Sequence, residues 1–135
     1  MITLTKDAVF AAARKAYEEG QLSAQGPNPQ CRYRDTVGLP CAVGAAVDPD
    51  ELTKENRERF FENEIGSVGS LSFRKLFNIP SREQEMAILA LQASHDAWAS
   101  AERRARNEPA GDVVGFVEKS KKSFVDLLYG EEDNG

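Results

Sequence analysis

Two cysteines and a single histidine are the residues of this chain whose types could support catalysis or metal binding. Nine residues separate Cys31 from Cys41, and His95 follows much later, directly before Asp96. A cysteine beside a histidine base is the arrangement of thiol enzymes, and cysteine and histidine together are ligands that zinc prefers. These residues therefore define two chemical hypotheses and a third in which all of them are structural.

The thiol hypothesis takes Cys41 as the nucleophile and His95 as its base. Pro40 suits the first position of a helix, so the cysteine is predicted at a helix N-terminus, where the helix dipole lowers a thiol pKa. Asp35 or Gln92 would then orient the histidine ring. Against this hypothesis, small apolar residues follow the cysteine and predict a buried thiol, and buried structural cysteines are inert.

The zinc hypothesis takes Cys31, Cys41 and His95 as ligands, with Asp96 as the fourth. The gap of nine residues between the cysteines differs from the spacing of about two to four in zinc knuckles. Consecutive residues on a helix also point about 100° apart, so the last two ligands are poorly placed to share one ion. We therefore expect neither a bound metal nor a cofactor.

The favoured interpretation is structural. Both cysteines fill core space, and His95 is hydrogen-bonded beside Gln92 and Asp96, because buried polar groups need partners and such networks fix the packing register. Asp96 or Asp35 is expected to form an ion pair with Arg32 or Arg34, the arginines that follow the first cysteine. The other residues assigned structural roles are Tyr33, Gly38, Gly44 and Trp98.

Residues 31–44, here called the cysteine stretch, look least like ordinary helix. Asp35 and Gly38 take the first and fourth positions of a type I turn, which predicts at most one small β-hairpin near residues 31–40. Gly44 falls inside a predicted buried helical turn, where it costs about 1 kcal/mol relative to alanine. We therefore expect another helix, the central one, to cross closely over this glycine.

Helical periodicity dominates the rest of the chain. It predicts a mainly α, compact single domain of about five helices packed around a mostly buried central helix. The predicted helices cover about residues 6–19, 49–63, 71–77, 82–106 and 113–129. The first half of the central helix, at 82–106, is apolar almost all round. Gly130 is expected to end the last helix, which makes 1–130 the domain and 131–135 an acidic frayed tail.

The charge and hydropathy of the chain exclude two classes of partner. The formal net charge is −5 at pH 7 and the pI is about 5.0, whereas nucleic-acid-binding domains are typically basic. No apolar run approaches the length of a membrane span, so no membrane association is expected. Two cysteines do not make a disulfide scaffold, and we predict a cytoplasmic protein whose thiols are reduced.

Two blocks of residues in the middle of the chain form a distinctive pattern. They read Cys31-x-Tyr33-Arg34, Gly38-Leu39-x-Cys41-Ala42-Val43-Gly44 and then Leu91-Gln92-x-x-His95-Asp96. The pattern resembles a group of small uncharacterised proteins from bacterial and bacteriophage genomes. Members of that group continue with a Leu-Ile-Pro-Asp-like run, whereas this chain has Ala45-Ala46-Val47-Asp48-Pro49. The resemblance implies a common origin and fold, and it carries no assigned activity.

Protein–protein binding is the function predicted by elimination. The sequence has no phosphate-binding loop, dinucleotide fingerprint, paired metal motif or basic groove. Seven acidic residues fall between positions 48 and 64, which indicates a solvated helix face or, less simply, a patch for a basic partner. The candidate binding residues are Asp50, Glu51, Glu55, Glu58 and Glu62.

We therefore predict a small acidic cytosolic binding module and not an enzyme. An inhibitor or adaptor of a host protein, encoded by a phage or mobile element, suits its size, charge and resemblance. The alternatives are a thiol-dependent enzyme using Cys41 with His95, and a small zinc-binding domain. Nothing in the sequence predicts an oligomeric state.

Overall fold

The computed structural model describes residues 1–62, 64–107 and 111–133, with the side chains of 111–113 and 131–133 excepted. Within these ranges the fold is mainly α, as predicted, with five α-helices and one small parallel sheet. The helices are α1 Lys6–Glu18, α2 Lys54–Phe61, α3 Leu71–Leu76, α4 Arg82–Asn107 and α5 Gly111–Asp133. Three short 3-10 turns cover Ser23–Gln25, Gly44–Ala46 and Pro49–Glu51. The sheet pairs β1, Ile2–Thr3, with β2, Phe77–Asn78.

The core forms where α1 and α5 pack on α4. Phe124 and Leu128 of α5 are fully buried, and the ring of Phe124 lies 5.5 Å from that of Trp98 on α4. Tyr17 of α1 meets both rings edge-on. Aromatic contacts of this kind add to the hydrophobic effect of burial, so the C-terminal helix is held through its aromatic stripe.

The first half of α4 is buried on one side only, although its sequence is apolar almost all round. Ile88 and Leu91 are fully buried, whereas the opposite side faces solvent. We call this exposed side the α4 apolar face, and it consists of Met86, Leu89, Ala90, Ala93 and Ala97. An apolar sequence all round does not bury every side of the helix, because alanine suits a core and a solvated helix equally well.

The predicted helix at 49–63 is two separate elements. Asp48 accepts the N–H of Asp50 at 2.9 Å and begins only the 3-10 turn Pro49–Glu51. Thr53 then starts α2, since its hydroxyl accepts the N–H of Asn56 at 3.2 Å. A second N-cap so soon after the first interrupts the helix, because the backbone of a cap residue is extended. The predicted end at residue 63 lies outside the described residues.

Helix α5 continues through Gly130 to Asp133, so the predicted stop at this glycine is wrong. A glycine ends a helix when its backbone takes the left-handed conformation, as Gly20 does after α1 with a φ of 69°. Gly130 has no such conformation and stays within the helix. The predicted tail is therefore helical as far as residue 133, and residues 134–135 lie outside the described ranges.

The contact at Gly44 is tight, but its neighbour is not the predicted crossing helix. A Cβ added at Gly44 would lie 2.9 Å from the carbonyl carbon of Tyr33 and closer still to the carbonyl oxygen. The cysteine stretch therefore folds back on its own backbone. Its turn is closed by the N–H of Gly38, which donates to the carbonyl of Asp35 at 2.9 Å, and Arg34 and Pro40 form one antiparallel bridge.

Among the described residues, no helix has both the length and the apolar character needed to cross a membrane.

Candidate functional site

A buried polar cluster joins the cysteine stretch to α4. The side-chain carbonyl of Gln92 accepts the backbone N–H of Val43 at 2.9 Å, and its amide donates to Asp96 Oδ1 at 3.0 Å. His95 Nδ1 lies 3.2 Å from the same carboxylate oxygen. The three polar residues of the central helix therefore form one network, because positions 92, 95 and 96 share a side of the helix.

His95 is fully buried, and both of its ring nitrogens are occupied. Nε2 accepts the backbone N–H of Ala24 at 3.3 Å, so this nitrogen carries the lone pair and Nδ1 carries the proton. Nδ1 then donates to Asp96. A ring held in this way has no nitrogen left to remove a proton from a substrate.

Cys41 has the environment of an unreactive core thiol. Its side chain is fully buried, and its sulfur accepts the N–H of Gly44 at 3.2 Å. Burial raises the pKa of the thiol to about 12, although hydrogen bonds from the backbone at Gly44 and Val43 act in the opposite direction. The residue also precedes a 3-10 turn of three residues rather than an α-helix, so the predicted lowering of its pKa by a helix dipole is absent.

Cys31 lies at the surface, so the prediction that both cysteines fill core space is wrong for this one. Its sulfur is 3.4 Å from the backbone carbonyl of Asp96 and 3.3 Å from the hydroxyl of Ser100. Partial burial raises the pKa of this thiol as well. The two cysteines thus have different hydrogen-bond partners, and neither has an environment that favours a thiolate.

The described residues contain no group of three or more histidine, cysteine or acidic side chains arranged to hold a metal ion. The atoms that could ligate a metal already take part in separate hydrogen bonds in the three candidate ligands, Cys31, Cys41 and His95. Their atoms therefore do not converge on one point, as the four ligands of a tetrahedral zinc site must.

Asp35 has a structural role inside the turn rather than the predicted role beside His95. It is buried, and its carboxylate accepts hydrogen bonds from the hydroxyl of Ser23 at 2.8 Å and from the N–H groups of Val37 and Leu39 at 3.0 and 2.9 Å. An aspartate that accepts N–H groups two and four residues ahead stabilises a tight turn.

The predicted pairing of aspartates with arginines is wrong. Arg34 donates to the carbonyls of Gly38, Gly44 and Val47, and Arg32 donates to that of Phe61. Both guanidinium groups therefore donate to backbone carbonyls rather than to carboxylates, a use that the several N–H donors of arginine suit.

A cavity of about 260 Å³, here called the cleft, opens beside the polar cluster. Cys31 and Tyr33 form one wall, residues 66–68 form another, and α4 contributes its floor. The floor residues are Leu89, Gln92, Ala93 and Asp96. Leu89 and Ala93 also belong to the α4 apolar face, so the cleft and that face are one continuous surface.

Tyr33 supports the cleft wall. Its ring stacks on Phe60 of α2 at 5.4 Å, and its hydroxyl donates to the carbonyl of Gly66. Burial of the hydroxyl raises the pKa of this tyrosine. Gly66 has a φ of 89°, a conformation that glycine adopts readily, so the loop can bring its carbonyl to the tyrosine. Sequence reasoning missed this wall, although Gly66 and Gly69 marked a break between helices.

The five acidic candidates all lie at the surface of the segment between the cysteine stretch and the cleft loop. They are distributed over the turn Pro49–Glu51, helix α2 and Glu62. Asp50 lies 3.8 Å from Arg57, an exposed pair of the kind that contributes little stability. Only the last of them approaches the cleft along the chain, because Glu62 and Glu64 precede the loop that forms its wall.

No family model, curated protein or solved structure matches this chain.

Proposed function

We propose that this protein is a polypeptide-binding module whose docking surface is the cleft together with the α4 apolar face. The observation that carries the proposal is the exposure of large apolar side chains on a regular helix. Met86 is 51 % exposed and Leu89 is 36 % exposed, one turn apart on α4. Contiguous exposed apolar surface beside a concavity is characteristic of interaction sites.

The shape of this surface supports a helical partner. Ala90, Ala93 and Ala97 have short side chains and recur at helical spacing along the exposed side. A second helix can approach closely there, with a larger side chain entering the cleft next to Leu89. This is the helix-in-groove mode, in which anchors spaced by three and four residues supply the binding energy.

The charge around the surface supports a basic partner. Asp96 lies in the cleft floor, Glu62 and Glu64 are exposed on the chain leading into the loop wall, and Glu83 is exposed at the start of α4. Attraction between these carboxylates and a basic helix accelerates association and excludes acidic partners. We therefore propose that the partner is an amphipathic helix with an apolar face and flanking lysines or arginines.

Rigid support for the cleft also favours binding. Tyr33 fixes the loop wall through Gly66, and Gln92 fixes the cysteine stretch through Val43. Walls that are already ordered lose little conformational entropy when a partner docks. A cytosolic inhibitor or adaptor of a host protein, of phage or mobile-element origin, is the role in which we place this module, and its two free cysteines suit a reducing compartment.

A selection from a phage-displayed library of random peptides on the purified protein tests the proposal. Selected peptides are expected to be amphipathic and basic, and their affinity is expected to fall at least about tenfold for Ala93→Lys, because an added cation there is buried without a partner and repels the basic peptide, which costs more than about 1.4 kcal/mol. Ala11→Lys is the matched control, since Ala11 is exposed on α1 and is not part of the cleft.

The control variant is expected to bind the selected peptides as the parent protein does. The proposal is overturned if the library yields no binder, or if Ala93→Lys and Ala11→Lys bind the selected peptides equally well.

A further inference from the structure

We infer that the cleft holds a cationic group carried on an apolar stem, the chemistry of a lysine or arginine side chain, and that Asp96 Oδ2 anchors it. This inference rests on the proposed function, because it names the side chain that the docked polypeptide inserts. Three features of the structure support it: the pairing of the carboxylate, the size and lining of the cleft, and the charge that the cleft presents.

The carboxylate of Asp96 is held at one oxygen only. Oδ1 receives both the amide of Gln92 and the ring N–H of His95. Oδ2 receives no hydrogen bond from the part of the chain that the structure describes, and the Asp96 side chain is 31 % exposed toward the cleft that it lines. One oxygen is therefore fixed in position and the other is available to a ligand.

Both donors on Oδ1 are neutral groups. Gln92 contributes an amide, and His95 is the neutral Nδ1–H tautomer because Nε2 accepts the backbone N–H of Ala24. The negative charge of the carboxylate is thus oriented without being neutralised by these bonds. Charge-assisted hydrogen bonds to an ammonium or guanidinium group are about twice as strong as neutral ones, so a cation gains most from this position.

The size and lining of the cleft fit one side chain. Its volume of about 260 Å³ is below the roughly 300–1,000 Å³ of pockets that hold drug-sized ligands. Val68, Leu89 and Ala93 line it with apolar atoms, while Asp96 supplies the charge. Lysine and arginine have this combination, because their methylene stems pack on apolar surface while the charged end reaches a polar group.

The same geometry discriminates by charge. An anion of equal size would face the carboxylate of Asp96, and a neutral alcohol would gain only an ordinary hydrogen bond. The thiol of Cys31, at the cleft edge, is already directed to the carbonyl of Asp96 and the hydroxyl of Ser100. The site therefore selects cations over neutral and anionic analogues with the same stem.

Amide chemical shifts recorded during titration with n-butylguanidinium and n-butylammonium test the inference on the full chain. Both cations are expected to shift resonances of residues 66–68 and 89–96 in a saturable way, whereas n-butanol and butyrate at equal concentration leave them in place. Asp96→Asn is expected to weaken cation binding at least about tenfold, because the charge of the pair is lost.

Asp96→Asn preserves the fold in this experiment, because the asparagine carbonyl still accepts from Gln92 and His95, and an unchanged spectrum elsewhere verifies it. Equal binding by Asp96→Asn, or shifts caused equally by butyrate, overturns the inference. Library-selected peptides that need the α4 apolar face but bind Asp96→Asn as tightly as the parent also overturn it, and they leave the proposed docking function standing.

Discussion

Gln92 accepts the backbone N–H of Val43 at 2.9 Å, and this buried hydrogen bond ties the cysteine stretch to the central helix. The two residues are 49 positions apart in the chain. The same side chain donates to Asp96, so one amide satisfies a backbone group and orients the carboxylate of the cleft. Gln92 therefore both stabilises the fold and orients the carboxylate that we propose as the binding group.

Replacement of Gln92 by leucine is expected to lower the free energy of unfolding by about 1–3 kcal/mol, because the buried N–H of Val43 loses its acceptor. Urea denaturation followed by circular dichroism measures the change. Gln21→Leu is the control, since Gln21 is exposed and its side-chain amide makes a long hydrogen bond of 3.4 Å to the carbonyl of Glu19. A Gln92→Leu protein as stable as the control would show that this hydrogen bond does not hold the stretch.

Gly44→Ala is expected to destabilise the protein by about 1–3 kcal/mol, because its Cβ would overlap the carbonyl of Tyr33 and the backbone there must shift. Gly115→Ala is the matched control. A Cβ at Gly115 meets nothing within 4 Å, so alanine is expected to stabilise α5 by about 0.5–1 kcal/mol. Thermal melts measure the melting temperature of both variants. Equal changes of the same sign in the two melting temperatures would contradict the tight contact at Gly44.

Stability is expected to fall as the pH rises from about 9 toward 12. The Cys41 thiol has an ordinary pKa of 9.0 and a folded pKa of about 12, so above pH 9 the unfolded chain loses a proton that the folded chain keeps. Ionisation then favours the unfolded state, and between pH 9 and 11 the loss from this group is about 2–3 kcal/mol.

Tyr33 contributes in the same direction at alkaline pH, because burial raises its pKa too. Cys41→Ala removes the contribution of the thiol, so the free energy of unfolding of this variant should decline less steeply with pH than that of the parent protein. Parallel pH profiles for the two proteins would mean that the thiol is not protected by burial.

Iodoacetamide is expected to alkylate Cys31 before Cys41 in the native protein, because the first lies at the surface and the second is fully buried. Mass spectrometry of time points resolves the two sites, and unfolding in urea should make Cys41 reactive. Rapid native labelling of Cys41 that slows in His95→Ala would instead indicate an activated thiolate and support the thiol-enzyme alternative.

Purified protein is expected to contain no stoichiometric zinc, because the sulfur and nitrogen atoms of the three candidate ligands are directed to separate hydrogen bonds. Elemental analysis of protein prepared without chelators measures this. One zinc per chain that disappears in Cys31→Ser would establish the zinc-binding alternative.

The starts of α1 and α4 could be read from the sequence because the interactions that begin these helices are local. Thr5 accepts the N–H of Ala8 at 3.1 Å at the start of α1, and Ser81 accepts that of Gln84 at 3.2 Å at the start of α4. Such caps join residues three positions apart, so a short window of sequence contains both partners. The mainly α fold follows from these signals together with apolar periodicity.

The partners of the site residues depended on contacts between distant segments. His95 receives the N–H of Ala24 from 71 positions away, and Tyr33 reaches Gly66 across 33 positions. Gly44 was identified from sequence as a tight contact, but its neighbour was the backbone of Tyr33 rather than the central helix. Residue type indicates that a buried polar group needs a partner, and only the packing of the chain supplies one.

The sequence by itself determined the mainly α fold, the starts of α1 and α4, and that Gln92, His95 and Asp96 share one side of α4. Tertiary structure decided which side of that helix stays exposed and which oxygen of Asp96 is held by Gln92 and His95. The physical reason is that helix formation depends on neighbours within about one turn, whereas burial depends on which other elements the helix meets.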